Sequence, residues 1–120
     1  MEQFHLDDVF GHGVQFCVPQ GERLRLKIDN SPGNPEAQAA RLFNRHGDAL
    51  CRLFIDTELA TNTQQLYLCY AVAQDPQVSV KILEGTEKLR VGTCVKLYPH
   101  MTIAVVIEKT GQVTNISIVI

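Results

Sequence analysis

The segment from Glu22 to Asp29 alternates strictly between polar and apolar residues. Such a period of two describes a pleated strand, with Leu24, Leu26 and Ile28 on one face and Arg23, Arg25 and Lys27 on the other. Much of the 120-residue chain is cut to the same length scale. Val14 to Val18, Gln65 to Val72, Gln77 to Leu83, Thr93 to Tyr98, Met101 to Lys109 and Val113 to Ile120 are short runs rich in β-forming residues. Turn formers separate them: Pro19-Gln20-Gly21, Asn30-Ser31-Pro32-Gly33-Asn34-Pro35, Gln74-Asp75-Pro76, Glu84-Gly85, Pro99-His100 and Thr110-Gly111-Gln112. An α/β layout needs amphipathic helices of at least about 10 residues between strands, and none is evident. The expectation is therefore an all-β, antiparallel β-sandwich or jelly-roll-like fold of about eight strands with at most one short helix. It forms one domain over residues 1–120, with the Val14-to-Gly33 region and the Tyr98-to-Ile120 region paired over long range.

Residues 36–46 admit two readings. Asn34, Pro35 and Glu36 fit a helix start, with alanines at 37, 39 and 40 behind them. Asn44-Arg45-His46-Gly47-Asp48 equally fits a turn with Gly in the left-handed position, joining Arg41-Leu42-Phe43 to Leu50 to Ile55 as a hairpin. The hairpin is the favoured reading, and a half-turn of helix at Glu36 to Ala40 is compatible with it.

Composition bounds the function classes. Eleven Lys plus Arg against thirteen Asp plus Glu give a net charge of -2. That argues against a protein whose whole surface binds nucleic acid or acidic membrane, though not against a local basic patch. The longest apolar run near the C-terminus, Ile103 to Ile107, is far shorter than the roughly 20 residues of a bilayer span, so no membrane partner is expected. The acidic N-terminus lacks the basic region of an export leader. Cys17, Cys51, Cys69 and Cys94 lie far apart with no C-x-x-C pair and read as buried, reduced core thiols. Together these point to a cytoplasmic protein.

Catalytic and metal-binding patterns are not written into the linear order. His5, His12, His46 and His100 are isolated, with no second ligand at metal spacing, so neither a metal nor a cofactor is expected. His12, between two glycines and near Asp7 and Asp8, reads as part of a solvated loop. His100, after Pro99, reads as a histidine at a strand bend. Ser31, Ser79 and Ser117 lie outside any nucleophile elbow, and Gly11-His12-Gly13 lacks the third glycine and the helix of a dinucleotide fingerprint. Neighbours on a strand point to opposite faces, so Arg52 does not activate Cys51.

Three surface features remain. The stripe Arg23, Arg25, Lys27, extended by Arg41, Arg45 or Arg52 if a neighbouring hairpin packs alongside, suits a phosphate backbone or an acidic partner. An edge strand charged against aggregation is the commoner origin of such a stripe. Tyr67 and Tyr98 are the candidates for an aromatic contact surface, and His100 joins them as a polar ligand contact. The apolar last strand, through Val113, Ile116, Ile118 and Ile120, suits a subunit interface. The reading is thus a non-enzymatic binding or assembly module working as a homo-oligomer, with a protein or anionic partner. The alternatives are anion or nucleic-acid binding through the basic strand face, and a small enzyme with a loop-borne polar pocket near His12 or His100.

Overall fold

A computed structural model describes residues 2–7, 13–19, 24–30, 38–58 and 65–120. Among these residues there is no helix, and eleven strands form two antiparallel sheets. The strands are β1 (Glu2–Asp7), β2 (Gly13–Val18), β3 (Leu24–Asn30), β4 (Gln38–Asn44), β5 (Ala49–Glu58), β6 (Gln65–Val72), β7 (Val80–Glu84), β8 (Glu87–Leu89), β9 (Cys94–Lys96), β10 (Met101–Ile107) and β11 (Gln112–Val119). The six-stranded sheet runs β1-β2-β11-β10-β7-β8 and the five-stranded sheet runs β3-β4-β5-β6-β9. The long-range pairing expected of the two ends of the chain is the β2·β11 ladder, with Phe16 opposite Ile118.

Alternation decides what each strand buries. Leu24 and Leu26 of β3, Leu42 of β4, Leu53 of β5 and Leu68 of β6 point inward from one sheet. Phe16, Ile82, Ile103, Ile116 and Ile118 meet them from the other, and all belong to one hydrophobic cluster between the sheets. Removing such side chains from water supplies the main drive for stacking, about 1.5–3 kcal/mol for each large residue fully buried.

Residues 38–46 resolve in favour of the hairpin. Gln38 to Asn44 is strand, which excludes helix from Gln38 onward, while Glu36 and Ala37 lie outside the described residues. Asn44 organises the turn. Its Oδ1 accepts from the backbone N–H of His46 at 3.0 Å and of Asp48 at 2.9 Å, and its Nδ2 donates to Asp48 Oδ2 at 2.9 Å. Gly47 takes φ of 84°, a region that side chains with a Cβ rarely adopt, as the turn reading requires.

The sequence reading marks neither β1 nor β8. In β1 only Phe4 and Leu6 carry an alternating apolar signal, among Glu, Gln, His and Asp. In β8 three residues fold back on β7 after Gly85. His100 sits in the turn before β10 with a φ of 60°, so the bend expected there is a left-handed one.

The cysteine expectation is half right. Cys17 and Cys51 are buried free thiols, but Cys69 and Cys94 form a disulfide. They are separated by 25 residues in sequence, and the register β6·β9 sets them directly opposite each other. Bonds of this kind persist in oxidising compartments and are rare in the reducing cytosol, so the thiols no longer support a cytoplasmic location.

Candidate functional site: the outward face of the five-stranded sheet

On β3, β4 and β5 the residues between the core positions face away from the other sheet. Register then decides which of them are neighbours. Lys27 lies opposite Arg41, and Arg41 opposite Arg52. Three cations from three adjacent strands therefore stand in one row. Strands are about 4.8 Å apart, so the row is about 10 Å long. Like charges directly across a ladder are destabilising.

Counter-charge along this row is sparse. Arg41 meets Asp29 at 3.7 Å, and both groups are partly exposed, so that pair is worth little. Its guanidinium also lies over the Phe43 ring, 5.3 Å from the centroid. Among the described residues no carboxylate pairs with Lys27 or Arg52. Arg52 Nε is buried and has no hydrogen-bond partner, a condition that costs about 1–3 kcal/mol. Two like-charged contacts and one orphaned donor are hard to explain by stability alone.

The same face carries Arg25, opposite Phe43 on β4. Phe54 lies between Ala39 and Cys69, and Tyr67 lies between Asp56 and Lys96. Among the described residues, Arg25, Lys27, Arg41, Arg52 and Lys96 thus face outward, against Asp29 and Asp56. The result is a cationic sheet face with half-buried aromatic rings, on a chain whose net charge is -2.

Several expected site residues go elsewhere. Arg23 and His12 lie outside the described residues. Arg45 belongs to the β4–β5 turn, off the row. Tyr98 and His100 lie on the crossover from β9 to β10, which leaves the five-stranded sheet for the other one. The Tyr98 hydroxyl donates to Glu84 Oε1 at 2.5 Å, and this bond to a carboxylate raises its pKa above the ordinary phenol range. Phe43, Phe54 and Lys96 join the face without having been singled out in the sequence, because only register reveals them as neighbours of the cations.

The expected interface also changes. Ile116 and Ile118 are fully buried in the chain's own core, so they have no surface to offer a second subunit. Val113 on β11 and Ile120, one residue beyond it, are exposed, at 52% and 47%. Register separates Val113 from the two buried residues: Ile116 faces Ile103 and Ile118 faces Met101 on the inner side of the β10·β11 ladder, and Val113 alternates to the outer side.

Cys51 lies on the inner side of β5, across the strand from the cations. Burial pushes its thiol up to about 12, so it is protonated and unreactive at neutral pH. Native protein treated with iodoacetamide at pH 8 is expected to leave Cys51 unmodified, and denatured protein to alkylate it fully. Peptide mass spectrometry reads the difference, and rapid native labelling at Cys51 would contradict the burial.

These features define a class: an antiparallel β-sandwich that presents a basic, aromatic-flanked sheet face. Comparisons with protein-family models, curated proteins and solved structures find no match to the chain.

Proposed function

We propose that this protein is a non-catalytic binding module that takes an extended anionic ligand across the outward face of its five-stranded sheet. The observation that carries this reading is the row Lys27, Arg41 and Arg52, set side by side by register, with Arg52 Nε left without a partner. An anion laid over the row offsets the like charges that register sets side by side. Phe43, Phe54 and Tyr67 flank it with ring surface, which suits a ligand that has flat or apolar faces as well as charges. The Cys69–Cys94 bond favours ligands met outside reducing compartments. A charged edge strand accounts for β3, which lies at the sheet edge, but not for Arg41 and Arg52 on β4 and β5 in the interior of the sheet.

The test uses two polyanions, a sulfated hexasaccharide and a single-stranded oligodeoxynucleotide, titrated over a series of salt concentrations. Binding is expected to weaken steeply with salt. Arg52→Glu and Lys27→Glu are each expected to weaken it at least about tenfold and to flatten the salt dependence. Preference for one probe identifies the ligand class. Wild-type affinity in both variants would overturn the reading.

A further inference from the structure

A second cationic feature lies at one end of the sandwich, off the sheet face. The β4–β5 turn and the β10–β11 turn border a cavity of about 280 Å³, lined by Arg45, His46, Val78, Ile107, Lys109 and Thr110 among others. Val78 and Ile107 give it an apolar part, and the two turns give it cations and hydrogen-bond donors. The walls are tied together through the β6–β7 connection. Gln77 N–H donates to Ala49 O at 3.2 Å on one side, and Glu108 N–H donates to Ser79 O at 3.1 Å on the other. The Asn44 side chain fixes the turn that carries Arg45 and His46. The turns that carry these donors are therefore held by the scaffold before any ligand arrives, which lowers the ordering cost of binding.

The polar groups are mostly donors. Arg45 Nε donates to His46 Nε2 at 3.3 Å, so that nitrogen is an acceptor and Nδ1 is left to donate. The remaining guanidinium nitrogens of Arg45 and the ammonium of Lys109 stay available. Thr110 Oγ1 accepts from Gln112 N–H at 3.3 Å, which leaves its hydroxyl hydrogen to donate. The nearby Asp48 carboxylate is engaged by Asn44 Nδ2. Converging cations and neutral donors above an apolar floor match an anion that carries a small hydrocarbon group.

We infer that this end cavity binds a small organic phosphate, with the phosphate held by Arg45, Lys109 and the His46 and Thr110 donors and the apolar group against Val78 and Ile107. This site is independent of the sheet-face reading, since the two share no residue.

The experiment is a titration of the ¹⁵N-labelled full chain, disulfide intact, with phenyl phosphate, inorganic phosphate and benzoate, followed by amide shifts. Phenyl phosphate is expected to give saturable shifts confined to residues 44–48, 77–79 and 108–112. Inorganic phosphate lacks the apolar contact and is expected to bind about tenfold more weakly. Benzoate, with a single negative charge, is expected to bind several-fold more weakly than phenyl phosphate, and equal affinity would overturn the assignment of the site to a phosphate. Arg45→Gln and Lys109→Gln each weaken phenyl phosphate binding about five- to tenfold, and both sit on exposed turn positions that tolerate substitution. No saturable shift, or shifts that persist unchanged in both variants, would overturn the inference. Shifts confined to the Lys27, Arg41 and Arg52 row would overturn it too, while leaving the sheet-face reading intact.

Discussion

Replacing Cys94 by serine, or reducing its bond to Cys69, is expected to lower the stability of the folded chain by about 3 kcal/mol and the melting midpoint by roughly 10 °C. The bond closes a loop over a sequence separation of 25, and the cost comes chiefly from the conformations that the unreduced chain is denied when unfolded. The folded side of the balance points the same way. Strand β9 has three residues and lies at the edge of the five-stranded sheet. Besides its ladder to β6 it is held by Leu97 N–H to Leu66 O at 2.9 Å and Gly92 N–H to Tyr70 O at 3.2 Å. The loss should therefore have a local signature. Amides of Val95 and Leu97 exchange faster in reduced protein under native conditions, while those of β10 and β11 exchange at rates set by global unfolding. Thermal melts of oxidised protein, reduced protein and a Cys69→Ala, Cys94→Ala double variant provide the check. Coincident midpoints for all three would show that the bond contributes no constraint.

What the sequence discloses about this chain is periodicity, and what it hides is register. Leu24, Leu26 and Ile28 alternate with Arg25 and Lys27, which is enough to predict a strand with one basic face. No local property of those residues says that Arg41 lies across from Lys27 and Arg52 across from Arg41. The second alignment depends on the Asn44-centred turn and on the register shift between Leu42 and Phe43, the first on the separate β3·β4 ladder, and a slip of one residue would turn every side chain over. The disulfide is hidden for the same reason. Cys69 and Cys94 become partners only because β9 pairs with β6, skipping β7 and β8, which leave for the other sheet. The end cavity is assembled from two turns more than sixty positions apart, each of which looks in isolation like ordinary polar turn chemistry. Even the last strand, whose alternation is plain, does not say which of its faces is covered by the chain itself.

Ile118 and Val113 separate those faces by experiment. Ile118→Ala is expected to cost about 2–5 kcal/mol, because it empties a fully buried site whose neighbours hold their positions. Ile118 lies opposite Met101 on β10 and Phe16 on β2, and all three are at 0% exposure. Two sheet partners fix the backbone around the gap, so little of the lost volume can be recovered by relaxation. Val113→Ala, on the outward face at 52% exposure, is expected to change stability by no more than about 0.5 kcal/mol. Urea unfolding of the two variants reads the difference directly, and sedimentation of the same samples asks whether the exposed residue serves a subunit contact. If chains associate through this face, Val113→Glu lowers the sedimenting mass without loss of folded signal. Ile118→Ala by contrast loses stability whatever the mass. A larger loss at Val113 than at Ile118 would mean that the two faces of β11 are exchanged, against its register with β10 and β2.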